Sequence, residues 1–194
     1  YEYVPLELGD YRFVVMNTNK QRRLADSKYN ERRSQCEEAL KILQDGGVKI
    51  SALCELSPEQ LENLKALIKD ELLVRRAKHC VYENQRVKDA VSALKAGNLE
   101  KLGKLLNESH ESLKNDYEVT GIELDTLAET AQKQDGCIGA RMTGAGFGGC
   151  GIALVHKDKV EQFVENVQTE YKKVVGYEAS FFDCESGDGV SHFN

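Results

Sequence analysis

The strongest constraint on this sequence is a concentration of glycine in its last third. Seven of the 16 glycines lie between Gly136 and Gly151, and four of them fall within the six positions 144–149. Glycine carries a high entropic cost on folding, and it is favoured where the backbone turns left-handed or approaches a neighbour closely. We therefore predict that residues 144–149 place their backbone against a ligand or a phosphate; a plain glycine-rich hairpin connection is the alternative.

The residues that follow the glycines disfavour the common nucleotide-binding loops. Gly144, Gly146 and Gly149 match the spacing of a dinucleotide-binding turn, but that turn opens a helix. Here the apolar run Cys150–Val155 predicts a strand directly after the last glycine. The sequence also lacks the Gly-Lys-Ser/Thr ending of a Walker P-loop and the partner motifs of a protein kinase. The expected arrangement is strand, glycine loop, strand.

Composition fits one soluble globular domain, which we assign to residues 1–194. The net charge of −6 disfavours binding to nucleic acid or a membrane surface, and no apolar run is long enough to cross a bilayer.

The six cysteines form no Cys-x-x-Cys pair and the four histidines form no ligand pattern, so we predict no metal held by side chains alone. Reduced thiols indicate a cytoplasmic protein. Because the sequence starts at Tyr1 without a Met, we expect a piece of a longer protein.

Hydrophobic periodicity predicts an α+β fold, with an antiparallel or mixed sheet and a helical layer beside it. Near the start, Tyr3–Leu6 and Tyr11–Met16 flank Gly9-Asp10 and predict a β-hairpin, with Pro5 placing its first strand at an edge. The other predicted strands are Cys137–Thr143, Cys150–Val155 and Tyr177–Asp183.

Capping residues indicate where the helices begin. Ser57, Pro58 and Gln60 form a capping box with proline at the first helical position. Asn98 and Asp158 are predicted to cap two later helices. The predicted helices cover 26–43, 57–68, 70–96, a segment after Asn98, 123–134 and a segment after Asp158.

The segment Gly139–Cys150 carries Arg-Met-Thr before the glycines and Phe-Gly-Gly-Cys after them. It resembles the third conserved motif of the GHMP small-molecule kinases, in the form found in the galactokinase family. Further stretches resemble that family in the same order along the chain: 17–19 with 24–30, 32–37, and 109–119 with 123–125. The resemblance implies the fold of a GHMP kinase C-terminal domain and covers only the C-terminal half of a galactokinase.

The resemblance implies a full-length protein that phosphorylates galactose at its anomeric hydroxyl, using ATP. The family's serine-rich phosphate motif and its catalytic carboxylate belong to the N-terminal half, which would also bind most of the ATP and the Mg²⁺. We therefore expect this chain alone to be inactive, with galactose and its own N-terminal domain as partners. A catalytically silent sugar- and nucleotide-binding regulator, or a kinase for a related sugar such as N-acetylgalactosamine, is the alternative.

The resemblance also implies the site residues of this half. Tyr29 matches the family's sugar-contacting tyrosine, although its helical spacing with Cys36 and Leu40 also fits a core position. The glycine loop is expected near the sugar and phosphate, and we prefer Phe147 as a packing anchor. The loop consists of Gly144, Ala145, Gly146, Phe147, Gly148 and Gly149. The candidate cleft-lining residues are Asn17, Thr18 and Asn19.

Charged side chains near these motifs are expected to be structural. Arg32 and Arg33 are predicted to lie on a solvated helix face, paired with glutamates, rather than to clamp a phosphate. Asp116, Glu118 and Asp125 are predicted to belong to a turn and a helix start, rather than to an acid–base pair.

Overall fold

The computed structural model describes residues 2–20, 25–185 and 187, and within them it confirms the α+β prediction. The described strands are β1 (Tyr11–Asn17), β2 (Cys137–Thr143), β3 (Cys150–His156) and β4 (Ser180–Cys184). The described helices are α1 (Ala25–Asp45), α2 (Pro58–Leu64), α3 (Glu71–Lys95), α4 (Leu99–Ser112), α5 (Ile122–Ala131) and α6 (Val160–Val175).

The four strands form one sheet in the order β2-β3-β1-β4, with every neighbouring pair antiparallel. β1, which comes first in the sequence, lies between the two strands that come third and fourth. Its last residue, Asn17, is opposite Cys150 of β3 on one side and Ser180 of β4 on the other. The end of β1 therefore lies beside the start of β3, where the glycine loop ends.

The predicted N-terminal hairpin is wrong. Residues 2–10 form no strand, because β3 and β4 already occupy both hydrogen-bonding edges of β1. Gly9-Asp10 does form a turn, in which the Tyr11 N–H donates to the Leu8 carbonyl at 2.9 Å. Leu8 then packs against Leu102 of α4 instead of pairing along the sheet. The turn was local and predictable, whereas the strand partners come from distant parts of the chain.

One face of the sheet is covered by α5 and α6. Val14 and Met16 of β1 point to this face and are fully buried. They pack against the apolar side of α6, which includes Phe163 and Tyr171. Burying large side chains of this kind contributes about 1.5–3 kcal/mol each, so this layer is the principal core of the sheet.

On the opposite face α4 lies directly on β2. The two elements meet at Gly103 and Gly139, where a Cβ added to Gly103 would stand 2.1 Å from the Ile138 carbonyl oxygen. Helix α3 packs on α4, and α1 and α2 pack on α3. A second core of leucines and alanines, including Leu43 and Ala77, fills this outer helical layer.

Side chains rather than another strand cover the outer edge of β2. The Ala140 N–H donates to Asn107 Oδ1 at 2.8 Å, and the Met142 N–H donates to His110 Nδ1 at 3.2 Å. Gln132 Nε2 donates to the Ala140 carbonyl at 2.8 Å. An edge strand normally offers unpaired backbone groups for association, and here helices α4 and α5 satisfy them.

The capping box at α2 and the Asn98 cap of α4 are confirmed. Ser57 and Gln60 exchange hydrogen bonds of 2.8 and 3.1 Å between side chain and backbone. Asp158 does not cap α6, because a short 3₁₀ turn at Lys157–Lys159 intervenes and His156 Nδ1 accepts from the Asp158 N–H. No helix in the described part of the chain combines the length and apolarity that a membrane span requires.

Candidate functional site

The glycine loop connects β2 to β3 and leads into a strand, as predicted. Gly146 and Gly148 both have left-handed backbones, with φ of 81° and 111°. A Cβ on Gly146 would stand 2.2 Å from the Val119 carbonyl oxygen, and a Cβ on Gly148 would stand 2.9 Å from Lys20 Cδ. Both close approaches require glycine, so the loop is pressed between the segment before α5 and the segment after β1.

Phe147 anchors the loop by packing, as expected. Its N–H donates to the Val119 carbonyl at 2.7 Å, and its ring packs with a small apolar cluster that includes Leu113, Leu124 and Met142. The residue is itself left-handed, with φ of 58°. A non-glycine residue in this conformation is uncommon and is retained where its surroundings hold it.

Two lysines lie beside the loop. Lys28 Nζ stands 5.5 Å from the centroid of the Phe147 ring, at cation–π distance. Lys20 Nζ pairs with Glu123 Oε2 at 2.9 Å, and its stem covers Gly148. The loop tip at Gly144 and Ala145 is exposed. Positive charge therefore flanks an accessible stretch of backbone.

Thr18 joins the end of β1 to the end of the loop. Its N–H donates to the Gly149 carbonyl at 2.8 Å, and its hydroxyl accepts from the Gly149 N–H at 3.0 Å. The Tyr171 hydroxyl donates to the Thr18 carbonyl at 2.7 Å. Thr18 is fully buried, so it supports the loop and does not line an open cleft.

Asn17 and Asn19 form a tight turn next to Thr18. The Asn19 N–H donates to Asn17 Oδ1 at 3.1 Å, and Asn19 adopts a left-handed φ of 55°. Asn19 Nδ2 reaches the Glu178 carbonyl at 3.0 Å and Ser180 Oγ at 2.9 Å. This turn ties β1 to β4 at the end of the sheet where the glycine loop lies.

Tyr29 is exposed near the start of α1, with 52% of its surface accessible. The core interpretation of this tyrosine is wrong, although Cys36 and Leu40 on the same helix do pack into the outer core. Its neighbour Lys28 contacts the Phe147 ring. The structure therefore brings the start of α1 to the glycine loop and leaves the Tyr29 side chain available to a ligand.

Arg32 is largely buried, contrary to the predicted solvated face, but it pairs with Glu31 at 2.8 Å, in line with the predicted glutamate pairing. Arg33 is exposed and pairs with Glu37 at 2.8 Å as predicted. Arg32 Nε donates to the Tyr117 carbonyl at 2.7 Å, and Nη2 donates to the Glu118 carbonyl at 3.1 Å. These carbonyls lie at the end of a short π-helix, Leu113–Tyr117, and have no hydrogen-bond partners within that helix. Arg32 thus ties α1 to the segment that leads into the loop contact at Val119.

A second arginine, Arg76, holds the same segment from α3. It is 1% exposed and donates to the Asp116 carbonyl and to Glu118 Oε2, both at 2.6 Å. The hydrogen bond from Arg76 holds the pKa of the Glu118 carboxyl below its ordinary value. We call Arg32, Arg76 and Glu118 the arginine clamp. The sequence contains one signal of the arginine clamp: Arg76 precedes Ala77 and lies among the apolar positions of α3, where a charged residue is unexpected.

The other carboxylates are structural, in line with the prediction. Asp116 pairs with Lys78 at 3.1 Å and accepts from the Ser112 hydroxyl at 3.0 Å. Burial raises the pKa of Asp125, but hydrogen bonds from His110 and Thr120 outweigh it, so that the pKa lies below its ordinary value. Neither carboxylate is arranged as an acid–base pair.

Comparison with known proteins identifies this arrangement. Residues 90–173 match the family model for the GHMP kinases C terminal domain. The galactokinase of Clostridium perfringens is 57% identical over 97% of this chain, and that of Lactococcus lactis is 59% identical over the same share. These matches assign residues 90–173 to the GHMP kinase C-terminal domain and show that nearly the whole chain is similar to galactokinases.

Solved structures agree with that assignment. A crystal structure of Lactococcus lactis galactokinase complexed with galactose superposes with a TM-score of 0.94 at 59% identity, covering 97% of this chain and 48% of that one. An L. major mevalonate kinase structure has a TM-score of 0.52 at 18% identity, over 89% and 41% of the two chains, and shows the common fold alone.

The chain spans about half the length of the curated relatives it matches: 49% of the C. perfringens galactokinase and 47% of the L. lactis one. The family model that matches residues 90–173 describes the C-terminal domain of the GHMP kinases. The candidate site features within this chain are the loop at 144–149, the supporting turn at 17–19 and the start of α1.

Proposed function

We propose that this chain is the C-terminal domain of an ATP-dependent galactokinase, which transfers the γ-phosphoryl group of ATP to the anomeric hydroxyl of galactose. The observation that carries the proposal is the 59% identity and 0.94 TM-score with a galactokinase solved with galactose, over 97% of this chain. The products are galactose 1-phosphate and ADP, with release of the hydroxyl proton.

In this proposal the chain binds and orients, and the other half of the protein carries the proton transfer. Phosphoryl transfer depends mainly on positioning and electrostatic stabilisation. Tyr29 would place its ring and hydroxyl against the sugar. The exposed backbone at Gly144 and Ala145 would approach the sugar and phosphate. There is room for a ligand at this point, since an added Cβ at Gly144 meets nothing within 4 Å. Lys28 would add positive charge at that edge, whereas the charge of Lys20 is paired with Glu123.

ATP use follows from the family, and magnesium would accompany the nucleotide. Within the described residues no group of three or more His, Cys, Asp and Glu side chains is placed to hold a metal ion. For the described residues we therefore propose only the loop backbone as a contact toward the phosphates. The remaining contacts to ATP and Mg²⁺ belong, in this proposal, to the N-terminal half. The six free thiols suit a cytoplasmic enzyme.

The test is a coupled assay of ADP release by the full-length protein with galactose and ATP. We expect galactose-dependent turnover, and we expect no turnover from the isolated 194-residue chain. Binding of galactose and ATP without turnover would replace the proposal with a silent regulator. A markedly higher kcat/KM for N-acetylgalactosamine or arabinose would replace galactose as the substrate.

A further inference from the structure

Two thiols meet between α1 and α3, away from the glycine loop. Cys36 Sγ and Cys80 Sγ stand 3.6 Å apart, close enough for one thiol to donate a hydrogen bond to the other. A disulfide requires about 2.0 Å, so the sulfurs must approach by about 1.5 Å. Ala39 and Ala77, one turn away on the two helices, are fully buried in the same cluster. These small residues let the helix backbones lie close together.

A cavity of about 510 Å³ gives small molecules access to this thiol pair. Its lining includes both sulfurs' residues and the apolar side chains of Leu40 and Leu53. The lining residues Val87 and Cys54 are exposed, so the cavity opens to solvent. A reagent can therefore reach Cys36 and Cys80 without unfolding of either helix.

The surroundings favour a reactive thiolate. The hydrogen bond from Cys80 lowers the pKa of Cys36 to about 7 against the opposing effect of burial, and the Tyr117 hydroxyl and Arg76 charge lower it further. The same pairing raises the pKa of Cys80. The pair thus loses its first proton below the usual range for a thiol and its second above it. A thiolate near neutral pH is the attacking species in disulfide exchange.

We propose that Cys36 and Cys80 form a thiol–disulfide exchange site for low-molecular-weight disulfides of the glutathione type. The Cys36 thiolate attacks one sulfur of the reagent, which breaks the reagent's S–S bond and releases one thiolate that takes up a proton. Cys80 then loses its proton to solvent and attacks Cys36 Sγ, forming the protein disulfide and releasing the second thiol. Two electrons pass from the protein thiols to the reagent, which ends as two thiols.

The product ties α1 to α3. Helix α1 also carries Lys28 and Tyr29 near its start and the clamp residue Arg32 one turn before Cys36. The proposed exchange site is argued from the two thiols and the cavity beside them. A negative result for galactokinase activity would therefore not affect it, and a negative result for thiol exchange would not affect the proposed activity.

The test treats the full-length protein with glutathione disulfide at neutral pH, alkylates the remaining thiols and maps the peptides by mass spectrometry. We expect a cross-linked peptide pair containing Cys36 and Cys80, with loss of alkylation at both. Cys80→Ser should stop at a glutathione adduct on Cys36. Cys36→Ser should leave Cys80 unmodified, and the control Cys54→Ser should give the same cross-link as the unaltered protein.

The proposal is overturned if Cys36 and Cys80 stay fully alkylated while exposed Cys54 takes up glutathione. It is equally overturned if Cys36→Ser forms an adduct on Cys80 as fast as the unaltered protein forms the cross-link. The unaltered protein decides the first outcome, so that result does not depend on whether a variant folds. The second outcome relies on the Cys36→Ser variant, and circular dichroism shows whether that variant is folded.

Discussion

Gly144 and Gly146 have nearly the same left-handed backbone, with φ of 82° and 81°, but different surroundings. A Cβ on Gly144 would meet nothing within 4 Å, whereas a Cβ on Gly146 would meet the Val119 carbonyl oxygen at 2.2 Å. The pair therefore separates the cost of a left-handed backbone from the cost of a lost close approach.

We predict that Gly146→Ala lowers the free energy of unfolding by about 3 kcal/mol or more, because it adds a steric conflict with main chain to the conformational strain. Gly144→Ala, the matched control, should cost only about 1 kcal/mol of strain. Urea unfolding of the full-length protein measures both. Equal midpoints for the two variants would contradict the close packing of the loop on Val119.

Arg75 and Arg76 offer a second matched pair on α3. Arg76 is buried, and its guanidinium donates three hydrogen bonds: to Gln35 Oε1 at 2.8 Å, to the Asp116 carbonyl and to Glu118 Oε2. We expect Arg76→Met to destabilise by about 2–4 kcal/mol, since it removes the donors to the Asp116 carbonyl and the Glu118 carboxylate. Arg75→Met should cost under about 1 kcal/mol, because the Arg75 ion pair is exposed. Thermal unfolding that ranks the two the other way would refute the clamp.

Tyr29 tests the sugar-binding proposal because its side chain is exposed, so that removal of its hydroxyl should leave the stability of the fold unchanged. Tyr29→Phe should raise the KM for galactose by about three- to tenfold, the amount expected for loss of one neutral hydrogen bond of about 0.5–1.5 kcal/mol. The melting temperature should not change. Tyr3→Phe, at a tyrosine that is 85% exposed, is the control. An unchanged KM in steady-state assays with Tyr29→Phe would remove Tyr29 from the sugar site.

At the scale of whole elements, the contact between α3 and α4 predicts a pH dependence. His79 of α3 places its Nδ1 3.0 Å from Ser112 Oγ, and its ring stacks on that of Tyr117 with the ring centroids 4.4 Å apart. Burial lowers its pKa to about 4, from an ordinary value of 6.5. The unfolded chain therefore binds more protons than the folded one between pH 4 and 6.5.

We expect the free energy of unfolding to fall by about 2 kcal/mol as the pH drops from 7 to 5, through this histidine alone. The stability that His79 contributes is complete above pH 6.5 and is lost as the pH approaches 4. His79→Gln should flatten the dependence over this window. Urea unfolding at pH 7, 6 and 5 makes the comparison, and equal slopes for the two proteins would contradict the assignment.

The elements also show what could and could not be predicted from the sequence. The capping box at Ser57 and the Asn98 cap were predictable because both contacts lie within three residues. The partners of β1 were not, because they lie more than 130 positions later and a local turn at Gly9-Asp10 suggested a hairpin. The same reason hides the arginine clamp: Arg32 contacts residues 85 and 86 positions away.

For the site, the family motif was sufficient to locate the glycine loop and the candidate Tyr29. The role of Thr18 was different from the expectation, since its hydrogen bonds to Gly149 bury it. A short polar residue after a strand is equally compatible with a cleft wall and with a buried support. Only the position of the loop beside β1 decides between them.

At the scale of the whole molecule, one part of a sheet face is left uncovered by the residues that the structure describes. Phe182 of β4 lies opposite Val15 of β1, on the face away from α6, and is 55% exposed. We propose that the N-terminal half of the protein covers this area. The exposed Phe182 and the partly exposed Val15 are the apolar side chains that such an interface would bury.

The isolated chain should therefore bind a hydrophobic dye such as ANS, and Phe182→Ser should reduce the fluorescence substantially. Val174→Ser, which removes a comparably exposed apolar residue from α6, is the control and should change it little. A monodisperse isolated chain that binds no dye would contradict the proposed interface. Fluorescence titration and light scattering give the two readings.

The side chains that cover β2 also limit how this sheet can grow. Asn107, His110 and Gln132 already occupy the outward backbone groups of Ala140 and Met142. Strand addition at that border would have to displace three side chains held on two helices. Any extension of the sheet, whether by another copy or by a partner segment, is therefore directed to the opposite border at β4.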